Sequence, residues 1–158
     1  MSTQPYLHSP LAARGQPLDP RDAETLSIAG ADRVAQTLAM RENAGATPLH
    51  ALPALAGELG LGALYVKDEG FRLGLGSFKA LGGAYALMVL VREEASRQLG
   101  REVAISEVMS EEVRKVAAGM VFACATDGNH GRSVAQGAQL MGARAVIFVH
   151  AGVSQARA

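Results

Sequence analysis

A chain of 158 residues has room for one domain, and its 15 basic and 15 acidic side chains give a formal net charge of zero. That balance gives no electrostatic basis for binding nucleic acid or a membrane surface. No apolar run reaches the roughly 18 residues of a membrane span, and no secretory signal is visible at the N-terminus. The lone cysteine, Cys124, excludes an internal disulfide, so we expect a reducing, cytoplasmic setting.

The first 30 residues are predicted to form an N-terminal arm, and residues 31–158 are predicted to belong to an α/β domain. Asp19 followed by Pro20 is a typical helix start, and a short helix is expected to run to about residue 28, before Gly30. A second helix is expected over 31–41, with Val34, Leu38 and Arg41 on one face. A third is predicted over 54–59, and a β-prone strand over 63–67.

A glycine-rich turn that leads into a helix contains Lys79, in the sequence GLGSFKALGG at residues 74–83. Ser77 is suited to cap the helix, and apolar residues at helical spacing extend it to about residue 98, with Gly100 at its end. The helix dipole disfavours a positive charge on Lys79, and burial would disfavour it further. A neutral lysine amine is what Schiff-base chemistry requires. An isolated lysine is more often simply exposed, and Lys67 is interpreted as structural or as ion-paired with Asp68 or Glu69.

Residues 101–119 are rich in charge and are interpreted as a solvated face, with a helix over 111–118. The chain then predicts a buried strand at 120–126, a glycine turn, a helix at 129–141 closed by Gly142, and a strand at 143–150. This is a parallel βαβ unit, and its turn lies where open α/β sheets bind ligands. The turn carries a second motif, TDGNHGR at 126–132, whose helix N-terminus favours an anion such as a substrate carboxylate.

The two motifs together resemble the fold-type-II enzymes that use pyridoxal 5'-phosphate, the tryptophan-synthase-β-like group. Over residues 41–158 the chain looks most like the diaminopropionate ammonia-lyases. The resemblance implies an α/β fold with a three-layer open sheet, truncated here, and we expect its parallel strands near 63–67, 120–126 and 143–149. It also implies a lyase that eliminates ammonia from 2,3-diaminopropionate and is a homodimer at full length.

The resemblance implies a role for each residue of the two motifs. Lys79 would hold the cofactor as a Schiff base and then act as a base at the substrate Cα. Phe78 would stack on the pyridine ring, and Asn129 would hydrogen-bond its phenolic oxygen. The residues assigned to the substrate are Thr126, Gly128 and His130, the last without a proton-transfer role. No metal site is predicted.

Asp127 departs from most of this group, which has a small residue at that position. A carboxylate beside a bound amino acid costs desolvation unless it is used or paired, so Asp127 is a candidate second base; a helix-capping role is the alternative. Two other functions stay open: a threonine or serine dehydratase, against which Asp127 and the 101–119 insertion weigh, and a truncated, non-catalytic fragment. The residues for the cofactor's phosphate and pyridine nitrogen would lie beyond Ala158.

Overall fold

The computed structural model describes residues 15–126 and 128–153. Asp127 lies outside the described residues, as do residues 1–14 of the predicted arm and residues 154–158. The chain divides into two compact units, with the boundary after Asp32. Among the described residues, no helix is both long and apolar enough to cross a membrane.

The first unit contains α1 (Pro20–Thr25) and the start of α2 (Ile28–Ala39). The carboxylate of Asp19 accepts a hydrogen bond from the Arg21 amide at 2.9 Å, which confirms Asp19 as the helix cap. Gly30 was predicted to separate the two helices, but it lies inside α2. A Cβ on this glycine would lie 2.1 Å from the Thr25 carbonyl oxygen, so the glycine lets α2 pass close to the end of α1.

A small antiparallel sheet joins β1 (Leu49–Ala51) to β2 (Tyr65–Lys67), with the short helix α3 (Pro53–Glu58) between them. The prediction that the strand near 63–67 is parallel is therefore wrong. The strand β1, which has only three residues and follows Pro48, was not predicted. It is the strand that pairs with β2. Two further bonds extend the ladder, from the Asp68 amide to the Pro48 oxygen and from the Leu52 amide to the Leu64 oxygen, both at 2.9 Å.

The long helix α4 (Gly82–Leu99) ends, as predicted, at Gly100, whose φ of 66° suits a glycine. The charged insertion that follows holds a 3-10 turn (Ile105–Glu107) and α5 (Glu111–Ala117). Its charged side chains face solvent, where Arg101 pairs with Glu107 and Glu112. Three of its four valines belong to the hydrophobic core and are at most 2% exposed; they are Val103, Val108 and Val113. The insertion is thus part of the core.

The predicted βαβ unit is confirmed: β3 (Val121–Thr126) and β4 (Arg144–Val149) pair in parallel, joined by α6 (Asn129–Met141). The core lies between α4, α5, α6 and one face of this sheet, and its apolar side chains include Leu87, Met88, Val91, Val134, Ala138 and Met141. Phe122, Cys124 and Ile147 pack against this core. On the other face Val121 is 51% exposed and Phe148 is 61% exposed. In the part of the chain that the structure describes, one face of the sheet is therefore open and largely apolar.

Candidate active site

The lysine turn (Phe78–Ala80) is a 3-10 turn that precedes α4 and is not its first turn. The hydroxyl of Ser77 accepts a hydrogen bond from the Lys79 amide at 3.2 Å, which confirms Ser77 as a cap. Before it, Gly74 and Gly76 have φ values of 73° and 70°, which side-chain-bearing residues rarely adopt. The glycines and the cap thus shape the backbone that carries the lysine.

The side chain of Lys79 is exposed and not buried as the sequence analysis had considered. The chain has three lysines, and the other two are engaged. Lys67 donates to the Thr47 carbonyl oxygen, which confirms its structural interpretation; Lys115 pairs with Glu111 at 2.9 Å. The Lys79 amine makes no hydrogen bond or ion pair with any described residue. It is therefore the lysine most available to react.

The turn between β3 and α6 is organised by Thr126, whose hydroxyl oxygen accepts hydrogen bonds from the amides of Gly128 and Gly131, both at 3.1 Å. Gly128 has a φ of 151°. A Cβ on Gly131 would lie 2.3 Å from Thr126 Cγ2 and 2.9 Å from Ile147 Cγ2, so glycine lets the helix approach the sheet. Asn129 begins α6 and is exposed.

The second residue of α6, His130, is also exposed, whereas Asp127 is outside the described residues. The lysine turn contacts α6, and α4 packs along it. The two sequence motifs thus lie on elements that touch. The convergence of the Lys79, Asp127 and Asn129 side chains on one cleft stays a prediction, as do the roles of Phe78, which is 62% exposed, and of Thr126, Gly128 and His130.

A polar pair, the buried Arg41 and the half-buried Gln136, lies beside the lysine turn and was not predicted. Arg41 is 9% exposed, and it donates to the Ala80 carbonyl oxygen at 3.2 Å and to the Gln136 side-chain oxygen. Gln136 in turn donates to the Leu73 carbonyl oxygen at 3.3 Å. Burial lowers the pKa of the Arg41 guanidinium. The sequence did contain a sign of this contact, because Arg41 lies on the apolar face of a predicted helix. An arginine in such a place needs a polar partner if it is buried.

A second polar cluster fixes the chain just before the glycine-rich turn. Glu69 accepts hydrogen bonds from Arg72 Nε and from the Thr47 hydroxyl, both at 2.7 Å. These bonds, led by the one from Arg72, lower the pKa of the Glu69 carboxyl to about 2. Glu69 also raises the pKa of Arg72. The cluster joins residues 45–47 to residues 69–72. Glu69 pairs with Arg72, and the alternative interpretation of Lys67, an ion pair with Asp68 or Glu69, is not found among the described residues.

The comparison with known proteins agrees with the two motifs. The family model described as pyridoxal-phosphate dependent enzyme matches residues 40–158. The chain belongs to this family. It is 39% identical over 116 residues to the diaminopropionate ammonia-lyase of Salmonella typhimurium, which covers 73% of this chain and 28% of that protein. It is 46% identical over 113 residues to the enzyme of the same name from Escherichia coli, covering 70% of this chain and 27% of that one.

A crystal structure of the Escherichia coli diaminopropionate ammonia-lyase in complex with D-serine is similar to 83% of this chain and 32% of its own, with a TM-score of 0.69 and 42% identity. The resemblance and the fold class expected from the sequence are thereby confirmed. The chain spans a little over a quarter of the length of the curated relatives it matches.

Proposed function

We propose that this chain is the N-terminal portion of a pyridoxal-phosphate-dependent carbon–nitrogen lyase. It eliminates ammonia from 2,3-diaminopropionate, and with one water the products are pyruvate and two molecules of ammonia. Its similarity to diaminopropionate ammonia-lyases over most of its length supports this substrate. One structural observation carries the proposal: Lys79 is the lysine whose amine no described residue engages, and it lies on a turn that contacts α6.

The residues present fit the cofactor chemically. An aldehyde needs an accessible primary amine, which Lys79 provides, and a flat ring needs an apolar surface, which the exposed Phe78 provides. Lys79 would hold the cofactor covalently, and Asn129 would donate a hydrogen bond to its phenolic oxygen. When bound, the cofactor supplies the sink for the electrons released at the substrate Cα. The task of Lys79 after substrate binding is then to take the Cα proton.

The substrate carboxylate would bind at the start of α6. The Thr126 oxygen already accepts two amide hydrogens, so its own hydroxyl hydrogen is the group left to donate to a carboxylate. The amides at the N-terminus of this 13-residue helix favour an anion. Gly128 would allow the close approach of the ligand, and His130 would line it.

Labelling of the lysines tests the cofactor assignment. The chain is mixed with pyridoxal 5'-phosphate, reduced with borohydride and mapped by peptide mass. We expect the adduct on Lys79, with little on Lys67, and a loss of the adduct in Lys79→Arg. Lys67→Arg is the matched control and should keep it. Equal labelling of all three lysines would overturn the proposal and favour the non-catalytic fragment.

Kinetics on the full-length enzyme test the substrate and the role of Asp127. Lys79 reaches the substrate Cα from one face. Asp127, two residues before Asn129 in the sequence, would take the Cα proton of the other enantiomer. Asp127→Asn should lower turnover of D-2,3-diaminopropionate by about 10²–10⁴ and turnover of the L isomer much less. Equal losses on both isomers would assign Asp127 to substrate positioning alone. Faster turnover of threonine or serine than of diaminopropionate would favour the dehydratase.

Three further assignments belong to the same proposal. The catalytic part begins near residue 31, after the N-terminal arm. The full-length protein is a cytoplasmic homodimer. Sedimentation of the full-length protein and its recovery in the cytoplasmic fraction test these two points.

A further inference from the structure

One pair of side chains holds both ends of the backbone segment that contains Lys79. We call residues 73–80 the lysine loop. Gln136 donates to the carbonyl oxygen of Leu73 at its start, and Arg41 donates to that of Ala80 at its end. Arginine has only donors, and a backbone carbonyl only accepts, so the Gln136 amide has one orientation that satisfies both neighbours. The pair thus spans the loop from end to end.

The Ala80 carbonyl needs this partner because α4 does not begin early enough to supply one. If the helix extended back to Ala80, that carbonyl would accept from the amide of Ala84. The Ala84 amide instead donates to the hydroxyl of Ser133 at 3.2 Å. Ala80 is fully buried, and a buried carbonyl without a donor is costly. Arg41 therefore stabilises the interruption in helical hydrogen bonding between the lysine turn, which ends at Ala80, and the start of α4 at Gly82.

Arginine suits this place better than lysine. Its planar fork reaches two acceptors in fixed directions, whereas an ammonium is a point charge. Arg41 forms no ion pair among the described residues, so its buried charge is compensated by polar oxygens alone. A buried guanidinium that binds a backbone carbonyl indicates that the backbone conformation at Ala80 must be fixed.

We propose that Arg41 and Gln136 are positioning residues that lock the lysine loop in the conformation that presents Lys79 to the cofactor. The cofactor half of this statement rests on the proposed function. The backbone half does not, and it can be measured in the absence of any ligand. The pair acts through the backbone, by its bonds to the Leu73 and Ala80 carbonyl oxygens.

Amide hydrogen exchange tests the backbone half. Two amides report on the loop: Leu75, bonded to the Arg72 oxygen at 3.1 Å, and Leu81, bonded to the Phe78 oxygen at 3.0 Å. In Arg41→Met we expect both to exchange roughly tenfold faster or more, relative to the core amide of Val91. Val113→Ala is the matched control, since it removes buried apolar volume from α5. It should speed Val91 and the loop amides alike.

Gln136→Glu separates the two ends of the loop. A carboxylate still accepts from Arg41 but cannot donate to the Leu73 carbonyl. Leu75 should therefore exchange faster while Leu81 stays near its wild-type rate. Wild-type rates for both amides in Arg41→Met, or equal effects on both in Gln136→Glu, would overturn the proposed lock.

The borohydride experiment tests the cofactor half. Well below its melting temperature, Arg41→Met should give a several-fold lower yield of adduct on Lys79, whereas Val113→Ala should match the wild type. An unchanged yield despite faster exchange would overturn the positioning role. A wild type that forms no adduct would instead overturn the proposed function, and the exchange rates would still decide whether the pair locks the loop.

Discussion

The hydroxyl of Ser133 on α6 accepts a hydrogen bond from the backbone amide of Ala84 on α4, at 3.2 Å. Ser133 is fully buried, and the Ala84 amide is one of the first four of its helix, which lack partners within the helix. A side chain of one helix thus caps the start of the other. Because the lysine turn directly precedes α4, this bond fixes where the helix begins after Lys79.

Two glycines, Gly83 on α4 and Gly137 on α6, allow the same two helices to lie close together. The first prediction concerns Gly137. A Cβ on Gly137 would lie 2.9 Å from the Ala84 Cα, and backbone cannot move aside as a flexible side chain can. Gly137→Ala should therefore lower the free energy of unfolding by about 1–3 kcal/mol. Urea denaturation measures it.

Gly57→Ala is the matched control for that experiment. Gly57 also lies in a helix, α3, but a Cβ there meets nothing within 4 Å. This substitution should raise stability by up to about 1 kcal/mol, because alanine favours the helix. If both variants lost the same free energy of unfolding, the close approach of α4 and α6 at Gly137 would not be the cause of the loss.

The second prediction concerns the turn that begins α6. Thr126→Val keeps the shape of the side chain but removes the acceptor of two amide hydrogen bonds. We expect a loss of about 1–3 kcal/mol, because the amides of Gly128 and the buried Gly131 lose their partner. Thr126→Ser, which keeps the oxygen, should lose less. Thr25→Val removes an exposed hydroxyl and should change the free energy of unfolding by less than about 0.5 kcal/mol.

Most helices and the βαβ unit were predictable because their signals are local. The cap at Asp19, the final glycines of α4 and α6, and the apolar spacing in α6 all lie within a few residues of the feature they specify. The two motifs were recognised for the same reason. Helix ends were accurate to within a few residues, as caps allow.

The features that were missed depend on partners far apart in the sequence. The strand β2 was assigned the wrong direction because its partner β1 has only three residues. The lysine turn was predicted as the first turn of a helix, whereas Ser133 and Arg41 lie against the break after it. The polar residues Gln136 and Thr47 have no local pattern that indicates their contacts.

The third prediction is a dependence of stability on pH. The pKa of Glu69 falls from its ordinary value of 4.5 to about 2 in the folded chain, chiefly through its hydrogen bond from Arg72. A lowered folded pKa stabilises the folded state above the ordinary value, and that stability is lost as the pH falls through the folded value. The difference in stability between wild type and Glu69→Gln should thus be constant above about pH 5 and shrink towards pH 2.

Urea midpoints measured between pH 6 and pH 2.5 check this dependence. Glu94→Gln is an informative comparison, since the pKa of Glu94 is also lowered to about 2, first by its bond from Arg97. Both pairs join residues three apart, but the Arg97 side chain is 71% exposed and that of Arg72 is 15% exposed. The effect of Glu94→Gln should therefore be smaller and should fall with added salt. A Glu69→Gln difference that does not change with pH would contradict the assignment of the shift to the Arg72 contact.

The last prediction uses two neighbouring residues of β4 that lie on opposite faces of the sheet. Phe148 is on the open apolar face, whereas Ile147 packs against the core beneath α6. An open apolar face promotes self-association. Phe148→Lys should therefore reduce light scattering of concentrated solutions and change the free energy of unfolding by less than about 1 kcal/mol. Ile147→Lys puts an ammonium into the core and should cost at least about 2 kcal/mol. Sedimentation and urea denaturation of both variants separate the two effects. If Phe148→Lys destabilises the chain as much as Ile147→Lys does, the face is not open in solution. That result would indicate that a second copy of the chain buries it.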